Sequence, residues 1–162
     1  MILNLSHIPL IIEGVDISSL GKKDSVGSLV VFKDAVPDKG SYRRFLIKKA
    51  NQKDDYDMIA EVIKRRYSRL IKEKGKMPDL IIVDGGSGHI GIASKALESL
   101  KLSIPIVGLA KRNEEIWFPG VKKSLVVPRD NPGLHLIQRI RDQAHRFAHD
   151  YQLVRRKKRS GL

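Results

Sequence analysis

Asp79-Leu80-Ile81-Ile82-Val83-Asp84-Gly85-Gly86 is the stretch whose reading decides the fold. A short, unbroken apolar run that ends in an acid and two glycines reads as a strand buried on both faces, as in parallel sheets. Upstream, Tyr56, Ile59, Ala60, Ile63, Tyr67, Leu70 and Ile71 recur at steps of three and four, which predicts a long helix. Asp54-Asp55-Tyr56 suits its N-terminus, where acidic groups meet orphan amides and the positive end of the dipole, and Gly75 and Pro78 close it. Downstream, residues 87–100 predict a second helix with Ile90, Ala93, Ala96, Leu97 and Leu100 inward, and residues 104–109 a further strand.

Further out, three strand-like runs open the chain at residues 10–17, 27–32 and 42–48, separated by polar turns around Gly21 and around Pro37, Asp38 and Gly40. Such short connections predict an antiparallel meander. Ile116-Trp117-Phe118 and Leu125-Val126-Val127 predict a hairpin about Pro119-Gly120, and Asn131-Pro132 opens a last helix expected to run to about Tyr151. No linker or internal repeat divides the chain. Strands first, then alternating units, imply an α/β fold with a mixed sheet and helices on both faces. That order matches the ribonuclease H-like fold. Residues 1–152 are expected to form this domain and residues 153–162 a basic C-terminal tail.

Composition narrows the function classes. The chain has 162 residues and no cysteine, which excludes a disulfide scaffold, a thiolate zinc site and a cysteine nucleophile. No apolar run reaches the ~18–20 residues of a membrane span. The opening MILNLSHIPLII lacks the basic start and cleavage site of a signal peptide, so a cytosolic protein is expected. Lys and Arg total 31 against 18 Asp and Glu, a net charge of +13 that predicts a polyanionic partner. The charge gathers in residues 64–76, in Arg139, Arg141 and Arg146, and in Arg155-Arg156-Lys157-Lys158-Arg159. The single tryptophan, Trp117, lies far from all three groups, which favours nucleic acid over a membrane surface. At 6% aromatic residues, contacts to phosphates are favoured over base stacking.

Two carboxylates stand out. Asp16 lies inside an apolar strand, in Gly14-Val15-Asp16-Ile17-Ser18, where an unpaired charge is costly; it either caps a turn, faces water or meets a cation. Asp84 ends the buried strand, and ligands of α/β sheets gather beyond such carboxyl ends. If the first and fourth strands are neighbours, the two acids repel each other and form a seat for Mg²⁺ or Mn²⁺. His145, in Asp142-Gln143-Ala144-His145-Arg146-Phe147-Ala148-His149 on the last helix, is the candidate third ligand, with His149 an alternative further along. Asp55 and Asp142 are the acids that could replace it. Gly86-Ser87-Gly88-His89-Ile90-Gly91 fits G-x-G-x-x-G, but Asp84 at its mouth would repel a pyrophosphate and no acid follows the next strand to hold a ribose. Neither a P-loop nor a G-x-S-x-G elbow is present.

These residues resemble a family. Asp16-Ile17-Ser18, Asp54-Asp55-Tyr56, Arg65-Arg66-Tyr67, Asp84-Gly85-Gly86, Gly108-Leu109-Ala110-Lys111-Arg112, Pro128-Arg129-Asp130, Pro132-Gly133-Leu134-His135-Leu136 and residues 139–148 (RIRDQAHRFA) are similar to the C-terminal endonuclease domain of UvrC, a component of the UvrABC excision nuclease. The resemblance implies a ribonuclease H-like, Mg²⁺- or Mn²⁺-dependent DNA endonuclease that cuts on the 5′ side of a lesion. It maps an Asp-Asp-His metal site onto Asp16, Asp84 and His145, and a further family carboxylate onto Asp55. Lys111, Arg112, Arg139, Arg141 and Arg146 would bind flanking phosphates. Damaged double-stranded DNA and UvrB, another component of the excision nuclease, are the implied partners. The segment that docks on UvrB, the N-terminal nuclease domain and the helix-hairpin-helix pair expected after Ser160-Gly161 are not in these residues, so an excised domain or natural fragment is expected. Ser19, Ser87 and His89 depart from the family's usual His, Lys and Gln. The competing reading is a nucleic-acid-binding module of the same fold without catalysis.

Overall fold

The computed structural model describes Leu5, residues 7–19, 24–48, 54–159 and Gly161. Its elements are β1 (Ile11–Ser19), β2 (Asp24–Lys33), β3 (Val36–Pro37), β4 (Arg43–Lys48), α1 (Asp55–Glu73), β5 (Leu80–Asp84), α2 (Ser87–Ser99), β6 (Ile106–Ala110), β7 (Glu115–Trp117) and α3 (Pro132–Arg159). Among the described residues the strands form one seven-stranded mixed sheet in the order β3-β2-β1-β5-β6-β7, with β4 also on β2. β1 pairs antiparallel with β2 and parallel with β5, so the first and fourth long strands are neighbours at the centre.

Alternation along β1 sends residues to opposite faces. Ile11 and Val15 join Ile59, Val62, Ile63 and Tyr67 of α1 and Ile90 and Ala93 of α2 in one core layer. Ile12 joins Leu134, Ile137, Ile140 and Ala144 of α3 in the other. Gly14 makes the close approach of α3 possible, since a Cβ there would stand 2.6 Å from Ile140 Cγ2.

Local signals explain the ends. The Asp54 carboxylate accepts from the Asp57 amide at 3.0 Å and opens α1. Lys74, in the left-handed region at φ 55°, closes it. Asn131 Oδ1 accepts from the amides of Gly133 at 2.8 Å and Leu134 at 3.4 Å, which starts α3.

Several expectations change. β3 has no signal in the sequence: Asp34 and Ala35, both at positive φ (51° and 64°), turn the chain back on β2 without the glycine that usually marks such a turn. The hairpin at residues 116–127 reduces to a bridge between Ile116 and Leu125, and Glu115–Trp117 pairs antiparallel with β6 instead. α3 continues past Tyr151 to Arg159. Its arginines and lysines are good helix formers, and Gln152 Nε2 donates to the Ser19 carbonyl at 2.7 Å. The turn expected at Gly21 lies outside the described residues.

The buried face of α1 also differs. Met58, Val62 and Arg66 are buried, whereas Tyr56 and Ile71 are exposed. Arg66 enters the core because Glu13 of β1, 2% exposed, meets it there. Arg66 Nε and Nη2 donate to the two Glu13 oxygens at 3.2 and 2.9 Å, and Tyr67 Oη donates to Glu13 Oε1 at 2.8 Å. Both oxygens are thus satisfied, which a buried carboxylate requires. Arg66→Ala is expected to cost about 3–5 kcal/mol by stranding Glu13. The double change Glu13→Leu/Arg66→Met recovers most of that. Urea denaturation of the three proteins checks this; a single variant as stable as the parent would contradict it.

Candidate metal centre

The centre is assembled by the sheet. Val15 of β1 pairs with Val83 of β5, so the next residues, Asp16 and Asp84, stand side by side at the strand ends. Asp16 shares the face of Ile12 and Gly14, the face that α3 covers. α3 carries His145 next to the buried Ala144 and brings its imidazole to both acids. His145 Nδ1 lies 3.1 Å from Asp16 Oδ2 and 3.8 Å from Asp84 Oδ2. One donor atom from each of the three residues falls within 4.8 Å of the others. Gly85, at φ 156°, turns the chain from β5 toward α2, and a Cβ there would stand 2.5 Å from Cγ of the His89 ring.

A cleft of about 200 Å³ opens here, and Asp16, Asp55, Asp84, His89, Lys111 and His145 are among its lining residues. The electrostatics are unbalanced. Asp16 is 5% exposed. Burial first, then the Asp84 carboxylate, push it up to about 6 from 3.8; His145 and Lys111 pull it down less. The site is a desolvated acid pair short of positive charge.

Other candidates fall around it. Asp55, exposed at the start of α1, lines the cleft but does not belong to the close group of donor atoms. Asp142 and His149, a turn before and after His145, also lie outside that group; His149 is exposed. Lys111 lines the cleft, and Arg112 and Arg146 are exposed. Arg139 stands on α3 with its guanidinium 5.8 Å from the centre of the Phe32 ring. Arg141 has another occupation: its side chain is 15% exposed and its Nη1 and Nη2 donate to Glu114 at 2.8 and 3.4 Å. It braces the turn after β6 rather than presenting a free guanidinium.

His89 is a cleft residue that the sequence does not mark as one. Its Nδ1 accepts from the Gly86 amide at 3.3 Å, and its ring packs edge-on to Tyr56 at 4.9 Å. Gly88 leaves room for Tyr56, whose Oη would stand 2.6 Å from a Cβ at that position. Packing thus accounts for Gly88 in the G-x-G-x-x-G match. The signal for His89 is its place three residues after Gly86, where helix-capping side chains stand.

The family model of the UvrC RNase H endonuclease domain matches residues 1–149. This chain belongs to that family. UvrABC system protein C of Methanospirillum hungatei is 51% identical over 156 residues, covering 96% of this chain and 30% of that protein. The Treponema denticola protein of the same name is 48% identical over 147 residues, covering 90% of this chain and 22% of its own length. The chain therefore spans less than a third of these relatives. Human ENDOV aligns over 95% of this chain and 87% of its own with a TM-score of 0.53 at 14% identity. Ciona intestinalis Endonuclease V, crystallised with an inosine-containing DNA, aligns over 66% of this chain and 48% of its own with a TM-score of 0.50 at 16% identity. Those likenesses confirm the ribonuclease H-like fold. Among the described residues, no helix is long and apolar enough to cross a membrane.

The buried acid gives a pH signature. Folded Asp16 holds its proton to about 6 and the unfolded residue only to 3.8, so stability falls as pH rises between those values. The charge then costs about 3 kcal/mol above pH ~6. In chelator, Asp16→Asn is expected to lose that slope and to exceed the parent in stability at pH 7 by up to this amount. Urea titrations between pH 4 and 7 measure it; parallel curves for the two proteins would contradict the desolvation account.

Proposed function

We propose that this domain is a metal-dependent endonuclease that hydrolyses a phosphodiester of DNA. In the whole protein it makes the incision on the 5′ side of a lesion, with UvrB as partner. The observation that supports this reading best is the convergence of Asp16, Asp84 and His145 from two adjacent strands and the covering helix. Their chemistry fits a divalent cation: a desolvated acid pair calls for positive charge, carboxylate oxygens suit Mg²⁺ and Mn²⁺, and an imidazole leans toward Mn²⁺. Asp16, Asp84 and His145 would hold it, with Asp55 at the edge of the same cleft. A divalent cation there supplies the charge that promotes attack by water on phosphorus and offsets charge on the leaving oxygen.

The remaining roles belong to the chain. The cleft takes one phosphate, and Lys111 contributes positive charge beside it. Arg112, Arg139 and Arg146 hold the flanking phosphates, and the basic residues of the last turns of α3, up to Lys158, extend that path. These contacts are to the backbone and set position without reading sequence. Arg141 keeps the turn that follows Lys111 in place through Glu114.

Two outcomes test this. Asp16→Asn is expected to abolish Mn²⁺-supported nicking of supercoiled DNA while its affinity for duplex DNA, read by fluorescence anisotropy, stays equal or rises. Nicking at the parent's rate would remove Asp16 from the site; no nicking by the parent protein of whole length would leave only the binding-module reading. Arg146→Ala is expected to weaken binding alike on all sequences and to reduce the slope of log affinity against log salt by about 1. An unchanged slope would place Arg146 off the DNA path.

A further inference from the structure

Strand register sets a row of polar side chains under α3. Arg44 of β4 stands opposite Ser28 of β2, and Ser28 opposite Asp16 of β1. Asp84 of β5 follows in the same row, one residue beyond the Val15–Val83 pair. Arg44 is spoken for: its guanidinium lies 3.7 Å over the Phe147 ring and donates to the Phe147 carbonyl at 3.0 Å. Ser28 is not. It is fully buried, and among the described residues its Oγ has no hydrogen-bond partner.

A buried hydroxyl without a partner forfeits its hydration for nothing, and such groups are rare in folded proteins. Its β2 neighbours on that face, Val26 and Val30, show what the fold alone would accept. Residues directly opposite in an antiparallel pair have Cβ atoms roughly 4.5–5.5 Å apart. At that spacing a turn about the Cα–Cβ bond of Ser28 can swing its hydroxyl toward the Asp16 carboxylate. The contacts Asp16 already makes to Ser18 Oγ (3.4 Å) and His145 Nδ1 (3.1 Å) both use Oδ2.

We propose that Ser28 is a positioning residue for Asp16: its hydroxyl donates to the Asp16 carboxylate when that group holds a divalent cation. A carboxylate that gives one oxygen to a metal is oriented by a hydrogen bond to the rest of the group, and such supports set metal affinity. Serine is suited to the task because its rotor turns within a packed layer at no change in volume. The inference rests on the metal reading of the site.

The test uses the full chain with Mn²⁺ as probe. Parent, Ser28→Ala, Ser28→Thr and Ser25→Ala are melted in chelator and across a Mn²⁺ titration, and Mn²⁺ binding is measured by calorimetry. Ser25 is a buried serine three positions away on the other face of β2. In chelator, Ser28→Ala is expected to match or exceed the parent in melting temperature, since it removes an unpaired hydroxyl. Its Mn²⁺ dissociation constant is expected to rise about tenfold. Ser28→Thr, which keeps the hydroxyl, restores most of the affinity, and Ser25→Ala leaves it unchanged whatever it does to stability. Parental Mn²⁺ affinity in Ser28→Ala overturns the inference alone. No Mn²⁺ binding by the parent overturns the metal reading, and the inference with it.

Discussion

The parallel pairing of β1 with β5 is the constraint on which the rest depends. It joins the antiparallel half of the sheet to the parallel half, and its register sets Asp16 beside Asp84. Moved by one residue, it would turn Asp16 to the α1 face and bury Glu13 under α3, away from Arg66. The centre and the core are therefore specified by the same hydrogen bonds. Each face then has its own cover: α1 supplies Arg66 and Tyr67 to Glu13, and α3 supplies His145 to Asp16.

The two buried acids of β1 are treated in opposite ways. Glu13 receives a guanidinium and a phenol, and its charge is satisfied within the protein. Asp16 receives a second carboxylate and a half-exposed imidazole, and is left short of positive charge. A fold selected for stability alone would treat them alike. The imbalance at Asp16 is local and borders a cleft, as expected where stability is given up for chemistry. Ser28, without a hydrogen-bond partner among the described residues, belongs to the same strip of sheet.

Much of this is legible in the chain. The run at residues 79–86 and the order of elements lead to the mixed sheet, because apolar period and turn residues act locally. Asp16 and Asp84 are visible as acids in apolar strands, where a carboxylate needs a reason. The resemblance joins them to His145, and the sheet and α3 account for how residues so far apart in sequence meet. What cannot be read is pairing across the fold. Arg66 looks like one more solvated charge of α1, because nothing in α1 announces Glu13. Arg141 looks free for phosphate because Glu114 lies on a distant turn. Ser28 is an ordinary strand serine until register sets it opposite Asp16. The extra length of α3 escapes for a different reason: a basic run reads as a tail, although its residues favour helix, Arg155 reaches back to Asp24, and Gln152 just before it donates to the Ser19 carbonyl.

The central claim is that sheet register and α3 together make one divalent-cation site from Asp16, Asp84 and His145. Paramagnetic broadening by Mn²⁺ in NMR spectra of the domain tests it most directly, because it maps the ion without relying on catalysis. At substoichiometric Mn²⁺, we predict that signals at residues 15–17, 83–85 and 144–146, and the His145 ring protons, vanish first, while those of His149 persist to higher metal. Broadening centred on acids elsewhere, such as Asp142 or Glu73, with the Asp16 and Asp84 signals intact, would contradict the account.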